Sequence, residues 1–259
     1  MNKLPSPYRE FTRYFLPGLL MVLLACSPAY TPGSDVKAQN MEVNKNLAAD
    51  STITAMIQPY KADLDREISM IIGWAGEKLD NAPGRGESKL GNFVADLLLI
   101  QSEKKYGEPI DMAIINAHGG LRSTISQGPI SMENIFELMP FENNMLVLEL
   151  SGSLTRQFFD NCAKTKRNNI AEAKFTVVGN KATDISIGGK PFDPNRRYTL
   201  TISDYLANGG GGFGFLSQAK VIADLNYKTR DMIIDHIKDL SAQKKKAWGQ
   251  LDGRIKIIN

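Results

Sequence analysis

The chain has 259 residues, with 31 basic and 28 acidic side chains and a formal net charge of +3. A balance so close to neutral gives no reason to expect a nucleic acid polymer as partner, because such binding needs clustered positive charge. The chain contains two histidines, His118 and His236. They offer little from which to assemble a catalytic triad or a cysteine–histidine pair.

The first residues have the pattern of a bacterial lipoprotein signal. Three basic residues precede an apolar run that ends at Ala25-Cys26, and the run is short and interrupted by Pro17. A membrane-spanning anchor is therefore the weaker interpretation. We expect residues 1–25 to be removed and Cys26 to carry a lipid that anchors the protein in the cell envelope. Ser27, rather than an aspartate, favours the outer membrane, on its periplasmic or its surface face.

The rest of the chain divides into a tether and one domain. Residues 26–49 are polar with little periodicity, as expected of a flexible link from the lipid to a folded body. Residues 50–259 are enough for a single domain with a full core. After processing, Cys162 is the remaining cysteine, so no intrachain disulfide is expected. Its helical, apolar surroundings favour a buried structural thiol over a nucleophile.

Helical and extended patterns alternate along this domain. Helices are predicted at about Ser51–Asp65, Leu90–Tyr106, Ser153–Lys164 and Lys228–Lys245. Extended segments are predicted at Ile68–Ile72, Met112–Ile115, Met145–Leu150, Tyr198–Ser203 and Ile255–Ile258. The nearly continuous apolar run Met145–Leu150 is typical of a strand covered on both faces. The expected fold class is α/β, a single domain with a mixed β-sheet flanked by helices.

Three segments place polar or aromatic residues on turns at the ends of apolar runs. The first is Ile115-Asn116-Ala117-His118-Gly119-Gly120-Leu121-Arg122, the second is Met139-Pro140-Phe141-Glu142-Asn143, and the third is Ala207-Asn208-Gly209-Gly210-Gly211-Gly212-Phe213. The third segment is not a P-loop, because no Lys-Ser or Lys-Thr follows the glycines. A loop that needs positive φ or a close ligand approach explains it better. Together the three segments predict one small-molecule site.

These segments, preceded by Glu87-Ser88-Lys89-Leu90-Gly91-Asn92, resemble in order and spacing the C-terminal domain of 5′-nucleotidases, UDP-sugar hydrolases and 2′,3′-cyclic-nucleotide phosphodiesterases. The resemblance covers most of residues 55–259. It implies an α/β domain that binds the nucleoside part of a nucleotide. In such enzymes a separate N-terminal metallophosphatase domain holds two metal ions and performs the hydrolysis.

The resemblance also implies roles for individual residues. Two aromatic rings hold the base in this family, and the matching residues here are Phe141 and Phe213; such stacking contributes about 1–3 kcal/mol per base. Asn143 matches an amide that bonds a base edge. Arg122 matches an arginine that reaches ribose or phosphate oxygens. The other substrate-binding candidates are Asn116, Gly210 and Arg85, the last one residue out of register.

The sequence also departs from the family pattern. Ala117-His118 lengthens the path from Asn116 to Arg122 by one residue, and Gly211 stands where an aspartate is usual. In the family, the segment after this aromatic residue often supplies an acidic residue that holds the ribose hydroxyls. Here no acidic residue follows Phe213 in that segment. Three of the candidate site residues also have a purely structural interpretation: Phe141 and Phe213 as core residues, and Arg122 as a turn cap or surface ion pair.

The metal-binding motifs of the metallophosphatase half do not occur in this sequence, which motivates the expectation of a partner. A two-metal centre needs several histidines and carboxylates. We expect no cofactor or metal site and no catalytic residue in this chain, and divalent metals on a separate metallophosphatase protein. The chain would then be the nucleotide-binding subunit of a split 5′-nucleotidase. The alternatives are a non-catalytic nucleoside- or nucleotide-binding lipoprotein, and a fold that is kept only as a scaffold.

Overall fold

The computed structural model describes residues 39–44, 46–81, 86–116, 119–166 and 168–258. The predicted signal, Cys26 and Arg85 lie outside these residues. Two compact units are present, residues 1–54 and residues 55–259. In the described part before Ser51 the residues are exposed and form no helix or strand. Among the described helices, none has the length and apolar character needed to cross a membrane.

Helices and strands alternate through the second unit, and the first helix begins just before it. The helices are α1 (Ser51–Ile68), α2 (Lys89–Tyr106), α3 (Met132–Leu138), α4 (Gly152–Thr165), α5 (Asp204–Ala207) and α6 (Thr229–Ala242). The strands are β1 (Ile71–Ala75), β2 (Met112–Ile115), β3 (Gly128–Ser131), β4 (Asn144–Leu150), β5 (Asn169–Ala171), β6 (Ala173–Val178), β7 (Lys181–Ile187), β8 (Lys190–Pro191), β9 (Tyr198–Ser203), β10 (Lys220–Lys228) and β11 (Ile255–Ile258).

The central sheet has five strands in the order β10-β4-β9-β2-β5. Its β2–β9 pair is parallel, whereas β4 runs antiparallel to both β9 and β10. A four-stranded sheet has the order β11-β6-β7-β8, and β1 pairs with β3. Mixed sheets with flanking helices confirm the predicted α/β fold class.

The central sheet separates two hydrophobic cores. Met145 and Val147 of β4 face the core that contains α2 and α6. Leu148 and Leu150 face the other core, which contains α4 and the four-stranded sheet. Alternate residues of a strand point to opposite faces, so an apolar run is what such a position requires. The prediction of a strand covered on both faces is confirmed.

Helix α2 shows why the sequence pattern identifies it. The Ser88 side chain accepts a hydrogen bond from the Gly91 N–H at the start, and Gly107 ends the helix in the left-handed region with φ 87°. Such capping satisfies backbone groups that have no partner inside the helix. Its apolar side chains at spacings of three and four residues are buried, and they are Leu90, Phe93, Val94, Leu97 and Leu98.

Helix α1 agrees with a predicted helix, yet none of its residues is buried. It continues to Ile68, three residues beyond the expected end, and β1 begins only at Ile71. The extended segment predicted from Ile68 therefore starts three residues later. The exposed apolar side chains of α1 recur at helical spacing and comprise Ile53, Met56, Ile57, Tyr60 and Leu64.

Candidate functional site

The three predicted segments meet at one edge of the central sheet. Strands β2 and β9 are parallel, so both end at this edge, and antiparallel β4 begins there beside the end of β9, with Met145 opposite Ser203. A cleft of about 320 Å³ lies at this edge. It is lined by Ile115, Asn116, Gly119, Gly120, Arg122, Met139, Phe141, Asn143, Ser203, Tyr205 and Thr229.

The turn after β2 forms the first wall, and it depends on a close backbone approach. A Cβ atom on Gly120 would lie 2.3 Å from the Asn116 carbonyl oxygen, so a larger residue does not fit there. The turn is tied to α3 by the Arg122 N–H, which donates to the Leu138 carbonyl over 2.9 Å. The Arg122 side chain is exposed and lines the cleft. Of the described lining residues, Arg122 alone carries a charged side chain, so this wall favours an anionic group.

The segment before β4 forms the second wall and carries an exposed aromatic ring. Phe141 is 37% exposed, and Asn143 also lines the cleft. The Thr229 N–H donates to the Asn143 carbonyl over 2.9 Å. Between them, the Glu142 carboxylate pairs with Lys228 and with Arg230. Hydrogen bonds from Lys228 and Arg230 lower the pKa of Glu142 below its ordinary value, so the carboxylate stays ionised.

The start of α5 forms the third wall through Tyr205, which is 51% exposed. A Cβ atom on Gly210 would lie 2.5 Å from Cζ of the Tyr205 ring, so the Gly210 backbone packs against one ring face. The exposed half of the residue must then include the other face. The Asp204 carboxylate accepts from the Tyr205 N–H over 2.6 Å and from the Asn144 N–H over 3.2 Å. This carboxylate joins the second and third walls.

The structure does not bring Phe213 to the cleft, contrary to the expectation that its ring faces Phe141 there. Phe213 is 5% exposed and packs against Phe158 and Phe215, each with ring centroids 5.9 Å away. Three of the four glycines before it, Gly209, Gly211 and Gly212, take positive φ values. The chain turns back toward this core, where the apolar Phe213 ring is shielded from water. Tyr205, which the sequence analysis did not single out, is the aromatic residue that lines the cleft together with Phe141. Its place two residues after the end of β9, just ahead of the glycine loop, was the available signal.

The other predicted residues are distributed as follows. Asn116, Arg122, Phe141 and Asn143 line the cleft together. Gly210 supports Tyr205 rather than lining the cleft itself. Their contact with a ligand stays a prediction.

The described residues contain no group of three or more histidine, cysteine or carboxylate side chains able to hold a metal ion. Cys162 is fully buried, and burial raises the pKa of its thiol. A thiol held neutral in a core is a poor nucleophile. The residues that line the cleft offer stacking, hydrogen bonding and anion binding.

Residues 72–218 match the family model described as "5'-nucleotidase, C-terminal domain". This match covers more than half of the chain. The chain belongs to the 5′-nucleotidase C-terminal domain family. All the cleft residues up to Tyr205 lie within the matched range, and Thr229 lies beyond it.

Relatives in this family are longer proteins. Protein UshA of Yersinia enterocolitica is 24% identical over 185 residues, which cover 70% of this chain and 33% of the relative. Cell wall protein Lmo0130 of Listeria monocytogenes is 26% identical over 254 residues, covering 86% of this chain and 32% of the relative. The chain thus spans about a third of the length of these two relatives.

The fold comparison agrees with the family assignment. The crystal structure of a 5′-nucleotidase precursor from Thermus thermophilus matches with a TM-score of 0.67 and 24% identity. The match covers 80% of this chain and 42% of that one. The α/β architecture is therefore that of the C-terminal part of a nucleotide-related phosphoesterase family.

Proposed function

We propose that this chain binds the nucleoside part of a nucleotide in the cleft between Phe141 and Tyr205 and presents it to a separate metallophosphatase chain. The observation that carries the proposal is that two half-exposed aromatic rings and the Arg122 guanidinium line one cleft. An aromatic ring offers a stacking surface to any base. A guanidinium suits a phosphate or ribose oxygen through its fork of N–H donors.

Polar groups beside the rings support recognition of a base and sugar. Asn116 and Asn143 contribute amide side chains, and Ser203 and Thr229 contribute hydroxyl groups, to a cleft whose remaining lining is mostly apolar. A few convergent polar groups in an apolar setting are typical of small-molecule sites. A nucleoside 5′-monophosphate carries an aromatic base, hydroxyl groups and an anion, and so matches all three walls.

Hydrolysis in this proposal belongs to the partner. Metal-assisted phosphate release needs ions that activate water and stabilise the leaving group. Those ions would be held by the metallophosphatase, and this chain would orient the nucleotide. The signal-like residues 1–25 and the similarity to a cell wall protein support a location in the cell envelope, with Cys26 as the lipid anchor.

The test combines binding and turnover. The full chain is used as bait in an extract of its own cell envelope, and retained metallophosphatases are identified by mass spectrometry. Phosphate release from AMP is then measured with each chain alone and with both. Release that requires both chains, and that falls with Phe141→Ala, is the expected result.

Two outcomes would contradict the split enzyme. Retrieval of no metallophosphatase, or turnover by the partner that is unchanged when this chain is added, removes the catalytic role. AMP binding without partner-dependent turnover would instead favour the non-catalytic binding lipoprotein. Absence of binding to any nucleotide would favour the third alternative, in which the fold is kept only as a scaffold.

A further inference from the structure

We propose that Arg230 is a positioning residue that holds the Phe141 segment in the shape that receives the base. The proposal rests on the assignment of the cleft as a nucleoside site, and it concerns a residue that does not line the cleft. Arg230 is 7% exposed, so it is out of reach of a ligand, whereas Arg122 is exposed at the cleft itself.

Residues at the start of α6 contact the segment 139–143 at both of its ends and in between, through hydrogen bonds and ion pairs. The Arg230 Nη1 donates to the Met139 carbonyl over 3.5 Å at one end. The Thr229 N–H donates to the Asn143 carbonyl over 2.9 Å at the other. In the middle, Glu142 pairs with Arg230 through one carboxylate oxygen and with Lys228 through the other. Phe141 lies between these fixed points.

Arg230 is itself held in place by packing. Its guanidinium carbon lies 4.3 Å from the centroid of the Phe136 ring on α3. Such a cation–π contact fixes the plane of the guanidinium and therefore the direction of its N–H groups. Arg230 thus connects α3, the Phe141 segment and α6 through one planar group, which a flexible lysine cannot reproduce.

Because the Arg230 guanidinium is buried, it depends on the partners that the protein provides. The Arg230 Nε is buried and has no hydrogen-bond partner among the described residues. A buried cation needs its charge partner, because removing one member leaves the other uncompensated. The pairing with Glu142 is therefore the interaction that keeps both the guanidinium and the loop in position. Loss of it should release Phe141 and leave the other side chains that line the cleft in place.

The experiment compares Arg230→Lys with Arg254→Lys in the full chain. Arg254 is a matched control: it is also 7% exposed and pairs with Asp96 and Asp252, neither of which lines the cleft. We expect both variants to unfold at a lower temperature. Only Arg230→Lys should weaken AMP binding, by about tenfold, as expected for loss of a charge-assisted hydrogen bond.

A double-mutant cycle distinguishes positioning from general weakening. If Arg230 acts through Phe141, then Arg230→Lys should have little further effect on AMP affinity in a Phe141→Leu background. Additive losses in the double variant would overturn the proposal. Should Arg230→Lys fail to fold, Glu142→Gln removes the same pairing from the exposed side and serves in its place.

Hydrogen exchange tests the same idea without a ligand. Amides in the peptide 139–145 should exchange about tenfold faster in Arg230→Lys than in Arg254→Lys, because local opening governs exchange of loop amides. Unchanged exchange would overturn the proposal whatever AMP does. Faster exchange in a protein that binds no nucleotide would instead retain the positioning role and reject the proposed function.

Discussion

At the residue scale, the two aromatic residues near the glycine loop have opposite environments. Tyr205 is 51% exposed at the cleft, and Phe213 is 5% exposed in a core. We predict that Tyr205→Ala weakens AMP binding by about 1–3 kcal/mol, the usual cost of losing a stacked ring. Tyr205→Phe should bind nearly normally, because stacking requires the ring and not the hydroxyl group. Isothermal titration calorimetry measures the AMP affinity of the parent chain and of both variants.

Phe213→Ala is the complementary variant. It should lower the free energy of unfolding by about 3–5 kcal/mol, the typical cost of removing a buried phenylalanine, while the folded fraction keeps its AMP affinity. Urea unfolding measures the free energy of unfolding, and isothermal titration calorimetry measures the AMP affinity. A large loss of affinity in Phe213→Ala with none in Tyr205→Ala would return the stacking role to Phe213.

The sequence alone did not show which of these two rings faces the cleft. Tyr205 and Phe213 flank the same loop, and either could face a ligand. The choice depends on the backbone of Gly209, Gly211 and Gly212, whose φ values are 98°, 60° and 86°. Glycine permits many such paths, so its presence predicts a turn without its direction. Phe141 needed no such turn, since it lies close to the first residue of β4.

At the scale of elements, strands with a clear pattern were predictable, including β11 at the edge of the four-stranded sheet, whereas β10 at the edge of the central sheet was not. Strands β2, β4 and β9 lie inside the central sheet. Strands β2 and β4 have apolar runs, and β9 alternates apolar with polar residues. Strand β10 lies at the sheet edge, is mostly exposed or half-buried, and pairs with β4 through register shifts. Because most of its residues are exposed or half-buried, its sequence lacks the regular alternation of apolar and polar residues from which a strand is predicted. Strand β8, Lys190–Pro191, is too short to leave a pattern.

The turn after β2 shows how an element is joined to the cleft. We predict that Gly120→Ala lowers the free energy of unfolding by about 1–3 kcal/mol, the range for forcing extra atoms into a packed site. The reason is the 2.3 Å separation between the added Cβ and the Asn116 carbonyl oxygen. Because Asn116 lines the cleft, AMP affinity should fall as well.

The control for that variant is Gly214→Ala. A Cβ atom there meets nothing within 4 Å, and Gly214 has no positive φ. Its unfolding free energy should stay within about 0.5 kcal/mol of the parent, as for most surface changes. Equal urea midpoints for the two variants would show that the turn can shift to accept a side chain.

At the scale of the whole molecule, stability resides in the two cores on either side of the central sheet. Helix α1 contributes no buried residue to either core. It also contains Pro59, which interrupts its internal hydrogen bonding. The hydrophobic contribution of a segment scales with the apolar area that it removes from water, so that of α1 should be small.

We therefore predict that a chain beginning at Ser69 unfolds within about 2–4 °C of the full chain, the shift that about 1 kcal/mol produces in a domain of this size. Ser69 is a suitable start because the next residue, Met70, accepts a hydrogen bond from the Met132 N–H through its carbonyl over 3.0 Å. As a control, a chain ending at Gly253 loses β11 and with it the Arg254 pair to Asp96 and the buried Ile255. Differential scanning calorimetry should show a clearly larger drop for this second truncation. An equal drop for both would mean that α1 packs against the domain in solution and that its apolar stripe is covered there.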